Sequence, residues 1–320
     1  MNYQAAKQII IDTERAGQRL DNFLISQLKG LPKSRIYRMI RGGEVRINGK
    51  RVKPTTRLQA DDQVRIPPFK TEFTPQDPLP HQAIQGLEER IIYEDDALIV
   101  INKPAGLAVH GGSGIQAGLI ERIRCLRPRA KTLELVHRLD KATSGCLLIA
   151  KKRSALRELH QLFGQQAIHK LYLAIVQGAW PVELTVIDHA LRKNTLRSGE
   201  RMVVLDAQGK AAMTQFAVLA QQPQASLIKI RPQTGRTHQI RVHTQSADHP
   251  IAGDEKYGEA AFNQRMAQLG CKHLCLHAYQ LKFPLPGSGY EVTLRAPLPT
   301  HFTQLLTQLG LIYDCSTLTD

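Results

Sequence analysis

Leu135-Val136-His137-Arg138-Leu139-Asp140-Lys141-Ala142-Thr143-Ser144-Gly145-Cys146-Leu147-Leu148-Ile149-Ala150 is the stretch on which the reading of this chain turns. A polar loop gives way to an apolar run of the length of a buried strand, expected over 145–150. Asp140 lies in that loop beside two cations and two hydroxyls, a setting in which a carboxylate can be held ionised next to a ligand. The alternative is an aspartate that only forms the turn.

Outward from this loop, residues 91–101 read as two strands about an acidic turn, and short strands recur at 171–176, 214–219, 226–231 and 290–295. Amphipathic helices are expected near 154–166, capped by Ser154 with Leu156, Leu159 and Leu162 inward, and near 260–269. This pattern suits an α+β domain around a mixed or antiparallel sheet. A second dense segment, Pro232-Gln233-Thr234-Gly235-Arg236-Thr237-His238-Gln239-Ile240-Arg241-Val242-His243, alternates polar and apolar positions as a strand does. That alternation can aim Arg236, His238 or Arg241 into one cleft, or leave a basic strand face.

The chain has 320 residues, which favours about two domains. Its 43 Lys and Arg against 28 Asp and Glu give a net charge of +15, so a polyanionic partner is implied. Residues 15–70 hold 14 of the cations and 4 of the acids, so about +10 of the excess lies in the first fifth of the chain. There Leu20, Phe23, Leu24 and Leu28 recur at helical spacing, and Pro32-Lys33-Ser34 opens a second apolar set of Ile36, Met39 and Ile40. Gly42-Gly43 ends that helix. Lys33, Arg35, Arg38 and Arg41 are interleaved with its buried side, so one face packs while the other offers cations to phosphates. In Val45-Arg46-Ile47-Asn48-Gly49-Lys50-Arg51-Val52 the Asn-Gly pair makes a tight hairpin turn, and Arg46, Lys50 and Arg51 ride on it. The bland reading of all these cations is a solvated basic face. Five prolines between Pro67 and Pro80 read as a linker. The expected division is a module over 15–70, a linker over 71–88 and a catalytic domain over 89–320.

Several function classes recede on composition and spacing. No apolar run approaches the ~20 residues of a membrane span, and the MNYQAAKQIIID start lacks the regions of a signal peptide, so a cytoplasmic protein is expected. Five scattered cysteines suit free thiols. Gly112-Ser113-Gly114-Ile115-Gln116-Ala117 meets a loose dinucleotide pattern without the βαβ unit that motif requires. Cys271, His273, Cys275 and His277 alternate, so a strand would turn all four to one face as soft metal ligands; buried free cysteines and a hydrogen-bonded histidine are the commoner outcome. Neither a phosphate-cradling Gly-x-x-x-x-Gly-Lys-Ser/Thr loop nor a Gly-x-Ser-x-Gly elbow is present.

His137-Arg138-Leu139-Asp140-x-x-Thr143-Ser144-Gly145, Lys170-Leu171-Tyr172 with Ala174-x-Val176-x-Gly178, and Thr234-Gly235-Arg236-Thr237-His238-Gln239-Ile240-Arg241 occur in this order. Asn102-Lys103-Pro104-x-Gly106, His249-Pro250-Ile251-x-Gly253-Asp254-x-x-Tyr257-Gly258 and Leu276-His277-Ala278 accompany them. Together they resemble the RluA-type pseudouridine synthases, and Arg19-Leu20-Asp21, Leu31-Pro32-Lys33-Ser34, Gly43-Glu44-Val45 and Val45-x-x-Asn48-Gly49-x-x-Val52 resemble the S4 RNA-binding domain. The two resemblances span roughly residues 15–300.

The resemblance implies a small N-terminal S4-like domain plus a catalytic domain on a mixed, mostly antiparallel sheet with flanking helices. It implies isomerisation of uridines in large-subunit (23S) ribosomal RNA, without redox cofactor, methyl donor, nucleotide or metal. Asp140 is then the essential carboxylate, its route open among attack on the sugar, addition to the base and removal of a ribose proton. Arg236 is expected to pair with Asp140, Tyr172 to stack on the uracil and assist at C5, and Arg138 and Leu276 to contact the substrate. Arg138 is the side chain suited to fill the space a flipped base leaves, and His137 is expected to be structural. Lys33, Arg35, Arg38, Arg41, Arg46, Lys50 and Arg51 are the expected RNA contacts. Ala142 departs from a family acid, and His273 and Cys275 stand where an arginine and a bulky apolar residue are common. The competing reading is a non-catalytic RNA-binding assembly factor.

Overall fold

The structure is a computed structural model that describes all residues except 1, 14, 29–30, 72–83, 112–116, 131, 196–200 and 319–320. It divides into two compact units, Met1–His81 and Gln82–Asp320. Residues 72–83 of the expected linker, and 112–116 of the loose dinucleotide pattern, lie outside the described residues.

In the first unit, α1 (Leu20–Gln27) and α2 (Lys33–Arg41) pack Leu20, Phe23, Leu24, Ile36, Met39 and Ile40 into one core. Gly42 caps α2 and Gly43 follows with φ +73°, the left-handed geometry that glycine adopts without a Cβ penalty. A Cβ on Gly43 would also strike the Arg51 side chain, 2.6 Å from Nε. Strands β3 (Arg46–Ile47) and β4 (Lys50–Arg51) form the expected hairpin, with Asn48 and Gly49 both at positive φ. The unit takes in more than residues 15–70: β1 (Asn2–Gln4) pairs with β6 (Phe69–Thr71), and β2 (Lys7–Ile10) pairs with β5 (Gln63–Ile66). The chain ahead of the helices is thus part of this core.

The second unit is built on a ten-stranded sheet ordered β12-β15-β16-β11-β17-β10-β8-β7, with β18 beside β17 and β9 beside β10. The strands are β7 (Ile91–Glu94), β8 (Leu98–Lys103), β9 (Glu134–Leu135), β10 (Ser144–Ala150) and β11 (His169–Gln177). There follow β12 (Val186–Asp188), β15 (Met213–Gln222), β16 (Ala225–Pro232), β17 (Leu276–Pro284) and β18 (Glu291–Arg295). Its pairings are antiparallel except β10 against β17, which run parallel through Ser144↔His277 and Gly145↔Ala278. A separate hairpin, β13 (Leu191–Thr195) and β14 (Arg201–Leu205), leaves the sheet between β12 and β15. All seven residues of β10 are buried, which explains why its sequence is a continuous apolar run without alternation. Leu87 is buried in the core under β8 and β10, so the end of the expected linker belongs to this unit.

Helices α3 (Leu119–Leu126), α4 (Arg153–Gly164), α5 (Gln239–Ser246), α6 (Ala260–Gln268) and α7 (Thr300–Gln308) flank the sheet. Two expectations fail here. Lys152, not Ser154, is the N-cap of α4, and no side chain caps it. The alternation over 232–243 does not mark a strand: residues 233–238 are a loop, and α5 starts at Gln239. Every residue of α5 from Gln239 to Thr244 is buried, so the helix has no polar face to give its sequence a helical period.

Candidate functional site

The Asp140 loop enters the sheet at its parallel junction. Gly145, with φ +110°, lies so close to β17 that a Cβ would collide with the Ala278 backbone. Ala278 pairs with Gly145 on one edge and with Tyr172 of β11 on the other, so the Asp140 loop and Tyr172 are one small residue apart. His277 anchors the junction. Its Nε2 donates to Ala296 O at 3.1 Å, and its Nδ1 therefore accepts from Ser144 Oγ at 2.8 Å. Burial pushes this imidazole down to about 4, so it stays neutral.

Lys103 holds the same loop from behind. Its side chain is fully buried at the end of β8, and Nζ donates to the carbonyls of Pro104 and Leu107 at 2.9 Å and of Lys141 at 3.2 Å. Burial draws the amine down to about 7 against the opposing pull of Asp140. The Asn-Lys-Pro motif was legible as a family match, but no role for its lysine was. The usable signal is a lysine continuing the apolar strand of Leu98–Ile101, where an unpaired charge is costly.

Asp140 opens into a cleft of about 820 Å³. Arg138, Lys170, Arg231, Arg236, Arg241 and Lys282 also line it, and Asp140 is its one carboxylate among the described residues. Tyr172 and Leu276 supply apolar wall. Burial first, and the Asp140 charge second, push the Tyr172 phenol up, so it stays protonated. The Arg138 guanidinium is exposed and makes no hydrogen bond or ion pair among the described residues. His137 accepts the Leu148 N–H at Nε2 (3.1 Å), and burial lowers its pKa to about 3, as suits a structural role.

The expected Arg236–Asp140 pair is not made. Arg236 is exposed, its Nε donates to Ala211 O at 2.9 Å, and its backbone N–H is held by Gln239 Oε1 at 3.0 Å. Arg241 takes that place, with NH1 at 3.8 Å from Asp140 Oδ2. The difference follows from the helix: Arg236 precedes α5 on the outer side of the loop, whereas the first turn of α5 carries Arg241 inward. Arg241 is also paired with buried Asp254 by two hydrogen bonds of 2.7 Å. Asp254 further accepts the N–H groups of Lys256 and Tyr257. Gln239 braces the loop by accepting from Thr234 Oγ1 and donating to Met213 O and Thr214 Oγ1.

The cysteine–histidine run behaves otherwise than a four-ligand face. Only the part from Leu276 onward is strand, His277 is committed to Ser144 and Ala296, and the Cys271 and Cys275 sulfurs lie 3.6 Å apart. In the first unit Lys33, Arg38, Arg41, Arg46, Lys50 and Arg51 are exposed on α2 and the hairpin, while Arg35 is half-buried and 3.7 Å from Glu44. Arg46 NH1 is tied to Gly49 O at 3.1 Å. Among the described residues no helix is long and apolar enough to cross a membrane.

Comparison with known proteins agrees with this architecture. The RNA pseudouridylate synthase profile matches residues 97–246, and the S4 domain profile matches residues 18–64. Ribosomal large subunit pseudouridine synthase C of Pasteurella multocida is 49% identical over 308 residues, covering 96% of this chain and 94% of that protein. The protein of that name from Escherichia coli is 48% identical over 309 residues, covering 95% and 97%. A solved structure, human RNA pseudouridylate synthase domain containing 4, superimposes with a TM-score of 0.59 at 30% identity, covering 72% of this chain and 97% of that one. The chain belongs to the RNA pseudouridine synthase family and carries an S4 domain. It is an enzyme of the isomerase class.

Proposed function

We propose that this enzyme converts specific uridines of large-subunit (23S) ribosomal RNA to pseudouridine in the cytoplasm, with Asp140 as the essential carboxylate. The substrate follows from the relatives' names and from the S4 domain. The observation that carries the reading is a cleft in which, among the described residues, Asp140 is the one carboxylate and six lysine and arginine side chains share the wall. Cations draw in the phosphates of a polyanion, and the lone anion meets the nucleoside that is turned out of its stack.

In this isomerisation the N1–C1′ bond breaks, C5 bonds to C1′, N1 gains a proton and C5 loses one, so no external oxidant or reductant takes part. Attack at C1′, addition to the base and removal of a ribose proton all begin from the Asp140 carboxylate, which has the Arg241 guanidinium 3.8 Å from its Oδ2. Tyr172 stacks on the uracil and, as a neutral phenol, takes part at C5 as a hydrogen-bonding group. Leu276 helps keep water from the detached base. Arg138, whose guanidinium has no hydrogen-bond or ion-pair partner among the described residues, occupies the vacated stack as a planar cation. Arg236 contacts RNA at the rim. Lys33, Arg35, Arg38, Arg41, Arg46, Lys50 and Arg51 supply phosphate contacts from the first unit.

The test uses unmodified large-subunit RNA labelled with tritium at uridine C5, because forming the C5–C1′ bond releases that label. The enzyme should release it, and Asp140→Asn should lose at least roughly a thousandfold in rate, about 4 kcal/mol, while binding the RNA within a few-fold. Equal release by both proteins overturns the role of Asp140. Unchanged pseudouridine in the ribosomal RNA of cells lacking the protein overturns the assigned reaction.

A further inference from the structure

His238 occupies an unusual place in the cleft wall. It is the N-cap of α5 and has φ +54°, a left-handed conformation uncommon for a residue with a side chain. Its Nε2 lies 3.9 Å from Asp140 Oδ2, the same oxygen that faces Arg241 NH1 at 3.8 Å. Its Nδ1 lies 2.8 Å from the Tyr257 hydroxyl.

The direction of that bond can be deduced. The Val203 backbone N–H can only donate, and it donates to Tyr257 Oη at 2.9 Å. Among the described residues the one other partner of Oη is His238 Nδ1. The phenol proton therefore goes to Nδ1, Nδ1 accepts, and the imidazole proton is on Nε2, facing Asp140. The groups around the ring are Asp140, Arg241, Lys256, Asp254 and Tyr257. Burial, the largest influence, holds the imidazole below the usual histidine range, opposed by Asp140 and Asp254 and reinforced by Arg241 and Lys256.

Val203 belongs to β14, in the hairpin that leaves the sheet. Leu191, Val203, Ala212, Val242 and Tyr257 form a small core of their own, which fastens this hairpin to α5. The Tyr257 ring also lies 5.0 Å from the Arg241 guanidinium carbon, so one aromatic side chain supports both groups that face Asp140 Oδ2.

We propose that His238 is a positioning residue for Asp140, fixed as a neutral Nε2–H donor by the β13–β14 hairpin through the Val203 N–H and the Tyr257 hydroxyl. This rests on the role given to Asp140 above. At 3.9 Å the His238–Asp140 contact is longer than a hydrogen bond, and it closes when uridine fills the cleft, as active-site contacts commonly tighten on substrate binding. With Arg241 and His238 both directed at Oδ2, the Oδ1 oxygen is left for the nucleoside. The hairpin's exposed Arg192 and Lys193 suit it to contact RNA, so RNA seated there reinforces the chain of bonds that aims the carboxylate.

The test is Tyr257→Phe, which removes the hydroxyl and keeps the ring against Arg241 and the small core. Nitrogen-15 spectra of the full-length protein should show His238 of the wild type as one neutral tautomer with the proton on Nε2 between about pH 6 and 8. In Tyr257→Phe the two tautomers should average and protonation should move to higher pH. With RNA, kcat should fall about tenfold while RNA affinity holds, the size expected for a lost orienting hydrogen bond. His238→Gln, which can accept from Tyr257 and donate toward Asp140, should keep more activity than His238→Phe. A proton on Nδ1 in the wild type overturns the proposal, as does a Tyr257→Phe kcat within twofold of wild type. The spectra need no turnover, so their outcome is separate from that of Asp140→Asn.

Discussion

Replacing Arg241 by methionine tests the electrostatics of the site most directly, because one guanidinium serves two carboxylates. Toward Asp254 the loss is structural: that side chain is 1% exposed and loses both guanidinium hydrogen bonds, leaving the Lys256 and Tyr257 backbone N–H groups as donors. Breaking such a buried pair costs about 3–5 kcal/mol, and at roughly 2–4 °C per kcal/mol for a unit of this size the melting temperature should drop by roughly 10–15 °C. Toward Asp140 the loss is catalytic. A charge pair at 3.8 Å is worth about 4 kcal/mol at an effective dielectric of ~20. Asp140 is 20% exposed, so solvent screening brings this to about 2–3 kcal/mol, a rate loss of roughly a hundredfold. The double variant Arg241→Met with Asp254→Asn separates the two, since asparagine keeps its oxygen for the Lys256 and Tyr257 amides without a buried charge. It should recover most of the melting temperature, measured by calorimetry, and none of the rate, measured by tritium release. Arg236→Ala, run alongside, should hold kcat within roughly threefold, about 0.6 kcal/mol. Arg241→Met turning over at the wild-type rate, or Arg236→Ala losing as much as Arg241→Met, would refute this reasoning.

Lys103→Met leaves the Pro104, Leu107 and Lys141 carbonyls without their shared donor; urea unfolding should show a loss of about 3 kcal/mol or more, and unaltered stability would show the three bonds to be dispensable. His277, neutral in the fold at about 4, should make the enzyme acid-labile. Its stabilising contribution is complete above the unfolded value near ~6.5 and is lost at about 1.4 kcal/mol per pH unit as pH falls toward that lower value. Urea midpoints of wild type and His277→Asn between pH 7.5 and 5 should diverge in slope, and parallel lines would contradict the assignment. Arg38→Glu with Arg41→Glu, both exposed on α2, should weaken RNA binding and shrink its salt slope by roughly 0.7–0.9 for each phosphate no longer neutralised, without lowering the melting temperature. An unchanged slope would remove these two side chains from the RNA interface.

The sequence was most informative where local chemistry alone decides the conformation. Asn48-Gly49 and Gly42-Gly43 are readable because positive φ restricts the choice of residue. β10 is readable because an apolar run bounded by a polar loop has few other solutions. Where burial is complete, the periodic signal disappears. Residues Gln239–Thr244 are buried on all sides, so their polar–apolar alternation, which looks like a strand, is incidental to a helix satisfied by side-chain hydrogen bonds. β17, at the centre of the sheet, is not among the strands expected from the sequence. The same effect governed the site. Asp140 and Tyr172 could be placed by motif, and Arg138, Leu276 and Arg236 do line the cleft. Which arginine faces Asp140 depends on where α5 begins, and that is decided by tertiary burial of Gln239 and not by spacing.

The single parallel contact between β10 and β17 divides the large sheet into two banks joined there by only two residue pairs. Asp140 is carried by the bank of β10, and Tyr172 by the bank of β11 and β17. A small shear along this seam would change the gap between carboxylate and phenol more than it would disturb either bank. A uracil held by both would act as a clasp, so slower amide exchange at Gly145 and Ala278 should be the first sign that the nucleoside has entered.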